Sequence, residues 1–419
     1  MATDLILLTK EYPYGTGEEF LETELPILSE KFDSITIVAT AVPRNAKITR
    51  DISHNIKVYK ITDTVNRYIR YIKYTFRGLA GIFDDDVMEE ISFNKNIKSI
   101  LGIMYIFGRS KHLYNKVKSI SDVSSLLNHS ENVLIYSYWF ADLPYLALLM
   151  KRNSLNAKRI RIVSRAHGYD LYDFRNKSGR IPFRNTVFRD IDHVFPCSKD
   201  GTAYLVNKFP QFAKLISTSY LGTQDYGLSN STSGCNHFRI VSCSVLVPLK
   251  RLHLLVESLS GLVNRGIDIE WVCIGDGPVL NELKEEVKQY GLENRTLFKG
   301  YLNNTEVLNY YKNTKVDLFV NVSETEGLPV SIMEAISFGI QVVATDVGGT
   351  REIVKNGITG TLIDKDISAE TLEDAIIERL DNKIDPIVVR DFWKMNFDSS
   401  QNYKQFAESL LLLCINSVE

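Results

Sequence analysis

The chain has 419 residues, of which 44% are hydrophobic and 24% charged, and its 49 basic and 51 acidic side chains leave a net charge of −2. At about 150 residues per domain, this length suggests two or three domains with apolar material for their cores. The composition excludes a disordered, collagen-like or small disulfide-stapled chain, and the charge balance excludes a strongly basic nucleic-acid binder.

Residues Asp4–Thr9 open the chain as a predicted strand and run into the turn-rich segment Tyr12-Pro13-Tyr14-Gly15-Thr16-Gly17. A helical stripe follows, with Phe20, Leu21, Leu25, Ile27 and Leu28, and then the β-branched run Ser34–Ala39. Strand, glycine-containing loop, helix, strand is how a doubly wound α/β domain begins. Val65–Phe83 carries Arg67, Arg70, Lys73 and Arg77 at spacings of three and four, with Tyr68, Ile69, Tyr71, Ile72 and Phe76 between them. Two readings stay open: a helix lying on an anionic membrane, or an amphipathic helix packed on its own domain. Asp84-Asp85-Asp86 contains a D-x-D but stands beside Glu89 and Glu90, and reads as a solvated acidic loop. Further buried strands are predicted at Val133–Tyr136, Arg161–Ser164 and His193–Pro196.

The Ser-, Thr-, Asn- and Gly-rich stretch 223–238 reads as a linker between domain 1–222 and domain 239–391. Strands are then predicted at Arg239–Ser242, Ile269–Ile274, Thr296–Lys299, Val316–Val322 and Val342–Thr345, and helices at Val279–Tyr290 and Pro329–Phe338. Both halves alternate strand and helix, so the expectation is two Rossmann-like domains facing a cleft. The tail, Phe392–Leu413, has Phe406, Leu410 and Leu413 at helical spacing and is expected to pack back on the first domain.

Charge is unevenly divided. Residues 1–210 hold 30 basic and 23 acidic side chains, net +7, and residues 211–419 hold 19 and 28, net −9. The first half therefore suits an anionic partner, such as phosphates or a membrane surface. Cys197, Cys235, Cys243, Cys273 and Cys414 are scattered with no CxxC, which fits a reducing compartment without structural zinc. The opening residues lack the basic region of a signal peptide, and no run approaches the roughly 18 apolar residues of a membrane span. A cytoplasmic location is expected.

Val322–Val354 carries the most chemistry. Ser323–Leu328 forms a tight loop after a strand, Pro329 stands at the predicted first helical position, and Gly339 stands where the helix should stop. Such a helix start, at the carboxyl end of a strand, offers free backbone N–H groups and the positive end of the helix dipole to a diphosphate. Gly327 permits close backbone approach. Glu334, inside the helix, could accept from ribose or sugar hydroxyls, and Glu326, on the loop, from those of a transferred group.

Glu326 and Glu334 resemble the E-x7-E motif of the retaining glycosyltransferases of family 4. The resemblance runs through Glu326-Gly327-Leu328-Pro329, Gly348-Gly349 and Glu352-Ile353-Val354, and backward through Gly275–Pro278 and Phe298-Lys299-Gly300. It implies a GT-B fold, with the nucleotide-sugar held mainly by the second domain. Glu334 would then bind the donor ribose, Glu326 the donor sugar, and the backbone of Gly327, Leu328, Pro329 and Val330 the diphosphate. Lys250 would neutralise the leaving diphosphate, and Tyr301 would stand at the base pocket. Val245 occupies the position where this family carries an arginine, so Lys250 would act alone or Arg251 would compensate. Arg165–Asp170 resembles the family's His–Gly segment, which would put His167 at the anomeric centre, and Gly15-Thr16-Gly17 loosely resembles its phosphate-approaching loop.

The resemblance is nearest to the exopolysaccharide and O-antigen branch. It implies a metal-independent transfer with retention, without cofactor, from a UDP- or GDP-sugar to a growing, lipid-linked polysaccharide, at the inner face of the cell membrane. A nucleotide-sugar epimerase and a non-catalytic nucleotide-sugar-binding scaffold are the alternatives.

Overall fold

The computed structural model describes residues 3–15, 17–63, 66–93, 96–176, 179–228 and 237–415, with Arg67 and Ile415 described by backbone only. Thr16 and Cys235 lie outside these residues. The chain forms two compact units, Met1–Leu221 with Ser400–Glu419, and Gly222–Ser399.

In the first unit six parallel strands form one sheet: β1 (Thr3–Thr9), β2 (Ser34–Val42), β3 (Ile56–Thr62), β4 (Asn132–Ser137), β5 (Ile160–Ala166) and β6 (His193–Pro196). Their order is β3-β2-β1-β4-β5-β6. Helices cover both faces, so the central strands are apolar without alternation. Leu5 and Leu7 enter one cluster with Tyr136 and Val163, while Ile6 and Leu8 enter another with Ile135 and Ile162. Strand β3 escaped the sequence reading because it is an edge strand whose Lys57 and Lys60 break the apolar run.

The second unit repeats the arrangement with β7 (Phe238–Cys243), β8 (Ile269–Ile274), β9 (Thr296–Gly300), β10 (Leu318–Asn321), β11 (Val342–Thr345) and β12 (Gly360–Ile363). Its order, β12-β11-β10-β7-β8-β9, is that of the first sheet. In such a sheet the strand order reverses at one point, between β1 and β4 in the first unit and between β7 and β10 in the second. The loops leaving the carboxyl ends of those strands diverge there and open a crevice for a ligand.

The expected tail helix is two helices, Pro386–Asn396 and Ser399–Ile415. They part at Phe397 and Asp398, where the Phe397 carbonyl accepts from Thr223 N–H at 2.9 Å and Ser399 N–H donates to the Thr223 carbonyl at 3.1 Å. A helix cannot continue while its backbone pairs with another segment. The later helix packs Phe406, Ala407, Leu410 and Cys414 into the first unit's core.

Two histidines of the first unit are held neutral. Burial pushes His193 down to about 4, with Ser217 Oγ 2.7 Å from its Nε2. Burial, with Arg77 and Lys73 nearby, also lowers His112 to about 4. Between the ordinary histidine value of 6.5 and 4 the unfolded chain takes up protons that the folded chain refuses. Stability is therefore expected to fall as pH drops through that window. Thermal unfolding against pH should show the loss, and His193→Gln with His112→Gln should flatten it.

Candidate functional site

In the second unit the crevice between β7 and β10 collects the sequence candidates. After β7 the chain turns through Pro248–Lys250 into helix Leu252–Asn264. After β10 it loops through 322–329 into helix Val330–Ser337. The loops are tied together where Glu324 N–H donates to the Leu249 carbonyl at 2.9 Å. Across this point Lys250 Nζ pairs with Glu326 Oε1 at 2.6 Å, and Asn321 Nδ2 donates to the same oxygen at 3.3 Å. A cation and a carboxylate thus meet at the place where the sheet topology opens.

Helix Val330–Ser337 starts beside them. Pro329 has ψ 106° and is the N-cap rather than the first helical residue expected from the sequence; Val330 is first. No side-chain hydrogen bond caps this start among the described residues. The positive end of the helix therefore keeps backbone donors for an anion. Leu328 and Val330 are half-buried and Pro329 is buried.

The loop is underpinned by the turn after β11. Gly349 N–H donates to the Gly327 carbonyl at 2.7 Å. Gly348 has φ +52°, and a Cβ there would stand 2.1 Å from the Glu326 carbonyl oxygen, so only glycine lets the two loops close. The Ser323 and Thr350 hydroxyls, both on buried residues, have no hydrogen-bond partner among the described residues.

Glu334 lies one turn into the helix, buried at 7% exposure, and accepts from Asn304 Nδ2. It faces Cys243, whose thiol is raised to about 12 by burial first and Glu334 second, so the sulfur stays neutral. Tyr301 follows β9, at the sheet edge, and is 68% exposed; its loop reaches the helix through Asn304. Val245 is exposed.

Arg251 takes a different place from the expected one. Its Nε donates to the Val322 carbonyl at 2.8 Å, its NH1 to the Lys365 carbonyl at 2.6 Å and its NH2 to the Ser323 carbonyl at 3.3 Å. With φ +47° it caps helix Leu252–Asn264 and braces the end of β10. Its charge is directed at the protein's own backbone, so it positions the Lys250–Glu326 loops.

The first unit holds a second group at its own topological switch. Glu18 has φ +62°, and its carboxylate accepts from the N–H groups of Lys10, Glu11 and Tyr12 at 2.8, 2.9 and 2.7 Å. Consecutive backbone donors of this kind form an anion nest. Trp139 Nε1, after β4, donates to the same carboxylate at 2.6 Å. Lys10 Nζ lies 4.6 Å from the Trp139 ring centroid, and burial lowers its pKa. The His167 ring stands 4.7 Å from that of Tyr138 and 4.8 Å from that of Trp139. Asp170 Oδ1 accepts from the backbone N–H of His167 at 2.6 Å. Burial favours the neutral imidazole, but the Cys197 sulfur and Asp170 outweigh it and raise the pKa to about 10. Ring Nδ1 stands 4.0 Å from Asp170 Oδ1, an ion-pair distance longer than a hydrogen bond.

The structure thus brings Lys250, Glu326, Gly327, Leu328, Pro329, Val330 and Glu334 together in one unit, and places His167 with Glu18, Trp139 and Lys10 in the other. Gly15 closes the turn after Glu11, with its N–H donating to the Glu11 carbonyl at 3.3 Å, and Gly17 is exposed with nothing near its Cα that a side chain would meet. Sequence reasoning missed Glu18, Trp139 and Lys10. Glu18 directly follows the glycine loop, but a nest of backbone donors leaves no mark in residue types. Of the Asp84-Asp85-Asp86 run, Asp84 pairs with Lys111 at 3.4 Å and Asp86 with Arg152 at 2.7 Å.

Two doubly wound units, the second with a helix start that keeps backbone donors free, define an α/β protein of the GT-B class. Residues 233–391 match the family Glycosyl transferases group 1. The chain is 26% identical over 180 residues to the amylovoran biosynthesis glycosyltransferase AmsK of Erwinia amylovora, covering 41% of this chain and 44% of that one. It is 28% identical over 177 residues to an Escherichia coli UDP-Gal:alpha-D-GlcNAc-diphosphoundecaprenol alpha-1,3-galactosyltransferase, covering 42% and 43%. The first curated relatives are matched over 28% to 64% of their own lengths. Anabaena HepE in complex with UDP shares the fold at TM-score 0.63 and 18% identity, over 98% of this chain and 100% of that one.

Proposed function

We propose that this chain is a retaining glycosyltransferase that moves a sugar from a nucleoside-diphosphate sugar to a growing, lipid-linked polysaccharide. The observation that carries the reading is the Lys250–Glu326 pair beside the uncapped start of helix Val330–Ser337. UDP is favoured over GDP as the carrier, because UDP stands in the names of both the galactosyltransferase relative and the HepE complex. The diphosphoundecaprenol acceptor in that relative's name supports a lipid-linked acceptor here.

In the proposed step the bond from the anomeric carbon to the leaving phosphate oxygen breaks, and a bond to the acceptor oxygen forms on the same face. The acceptor proton passes to the leaving phosphate oxygen, so no separate carboxylate base is needed, in contrast with paired-acid glycosidases. Lys250 Nζ turns from Glu326 to the departing diphosphate, joined by the Val330 and Ser331 N–H groups, and stabilises charge as it develops. Glu326, released from that pair, accepts from hydroxyls of the transferred sugar, while Glu334 accepts from the ribose. His167, beside Asp170 and Cys197, is the first unit's candidate for a role in the transfer. The protein supplies the positive charge itself, so the reading is metal-independent.

Incubation of the full chain with a panel of UDP- and GDP-sugars and a polyprenyl-diphosphate glycan, with and without a chelator, tests this. Nucleoside diphosphate release, glycan extension with α-to-α or β-to-β stereochemistry and indifference to the chelator are expected. Nucleotide binding without release of diphosphate would favour the scaffold alternative, and epimerised donor without transfer would favour the epimerase.

A further inference from the structure

Helix Arg67–Leu79 divides its surface three ways. Tyr74, Thr75 and Gly78 are buried, and the helix packs on Ile97–Val117. The two helices lie nearly in backbone contact, because a Cβ on Gly78 would stand 2.0 Å from the Met104 carbonyl oxygen and one on Gly108 2.1 Å from that of Tyr74. Tyr68, Ile69, Ile72, Phe76 and Leu79 form a second line at helical spacing and are all exposed, Tyr68 at 81% and Phe76 at 69%. Arg70, Lys73 and Arg77 form a third. At ~3.6 residues per turn, the direction facing away from the protein runs between the apolar and the basic lines.

The apolar line is about 17 Å long. It continues past the helix to Phe83, 85% exposed, and to the exposed Ile97 and Leu101 at the start of the neighbouring helix. A single exposed leucine is ordinary, but a continuous aromatic and aliphatic face of this size marks an interaction surface. The helix does pack on its own domain, but through Tyr74, Thr75 and Gly78, which leaves this apolar line exposed.

Local charge identifies the partner. Most acidic residues of the region are already paired: Asp63 with Lys73 at 3.5 Å, Asp84 with Lys111, Asp86 with Arg152, Glu89 with Arg189 at 2.5 Å and Glu90 with Arg180 at 2.9 Å, while Asp85 is exposed to solvent. Among the described residues Arg70 and Lys98 have no acidic partner, and the Arg77 guanidinium lies 2.8 Å from His112 Nδ1. The face is therefore apolar and cationic together. A second copy docked on it by two-fold symmetry would bring these cations against themselves.

We propose that this face lies on an anionic membrane, with Tyr68, Ile69, Ile72 and Phe76 at the boundary between headgroups and acyl chains and Arg70, Arg77 and Lys98 among the headgroups. None of these residues belongs to the transfer site, so the surface stands whether or not the transfer reading does. If that reading holds, this face would keep the enzyme beside a lipid-linked acceptor.

The full chain should sediment with vesicles of phosphatidylcholine and phosphatidylglycerol, and hardly with phosphatidylcholine alone. High salt should weaken the binding. Arg70→Gln and Arg77→Gln should each weaken it about fivefold. Ile72→Glu with Phe76→Glu should abolish it without lowering the melting temperature, since both side chains are exposed, and without changing nucleotide binding. Failure to sediment, or equal sedimentation with the neutral vesicles, would overturn the proposal. So would a dimer in solution that the Ile72→Glu, Phe76→Glu chain loses, which would give the face to a second copy.

Discussion

Replacing Lys250 by methionine is expected to lower kcat by about 10²- to 10³-fold, the loss typical of removing one well-placed group that stabilises developing charge. Two effects should be separable. The ammonium is lost from the leaving diphosphate, and Glu326, which it neutralises at 2.6 Å, is left as a bare carboxylate at the mouth of an anion site. The second effect repels the donor and raises KM; the first slows the chemistry. Lys250→Met combined with Glu326→Gln should therefore restore donor affinity toward that of the parent while kcat stays low. Such a cycle isolates the coupling, because the two residues touch. Nucleotide titration alongside steady-state kinetics reads both. A Lys250→Met chain with unchanged kcat would remove the lysine from the reaction.

Most of the strands that could be read from the residues are those covered on both faces, although the edge strands β6 and β9 are legible too. The strands β1, β2, β4, β5, β7, β8, β10 and β11 lie inside their sheets, covered on both faces, and show as unbroken apolar runs. Strands β3 and β12 are edges whose apolar runs are broken, by Lys57 and Lys60 in the first and by Gly360 and Thr361 in the second, so neither leaves a run. The same logic divides the candidate site. Glu326, Glu334 and Lys250 act through their side chains and stand at spacings a motif can capture. The nest around Glu18 is made of main-chain N–H groups, and its partner Trp139 is 121 residues away, so only folding brings them together.

Helix Arg67–Leu79 illustrates a further limit. Its residues announce an amphipathic helix with more apolar surface than one contact can cover. Which apolar line goes inside is settled by Gly78 and Gly108, where two backbones approach too closely for any side chain. The same absence of bulk, at Gly348, lets the turn after β11 support the Glu326 loop. Glycine fixes contact geometry in both places, yet in a sequence it signals only permissiveness.

Glu24→Ala is expected to destabilise the first unit by about 3 to 5 kcal/mol, because it leaves a buried charge without its partner. Glu24 and Arg165 are both fully buried and pair at 3.1 Å. Tyr136 links them, donating to Glu24 Oε1 at 2.9 Å and accepting from Arg165 Nε at 3.0 Å, and Arg165 NH1 donates to the Ser219 carbonyl at 3.0 Å. The guanidinium also lies 3.8 Å from the ring centroid of Phe406, on helix Ser399–Ile415. An arginine without its carboxylate would draw water toward this packing, so the helix should loosen along with the pair. The melting temperature should fall by on the order of 10 °C, and amide exchange should rise first in residues 399–415. Replacing both partners, Glu24→Leu with Arg165→Met, removes the two desolvation costs together and should recover most of the loss. If the double replacement proves as unstable as Glu24→Ala alone, the network stabilises through its hydrogen bonds and packing on Phe406 rather than through charge pairing.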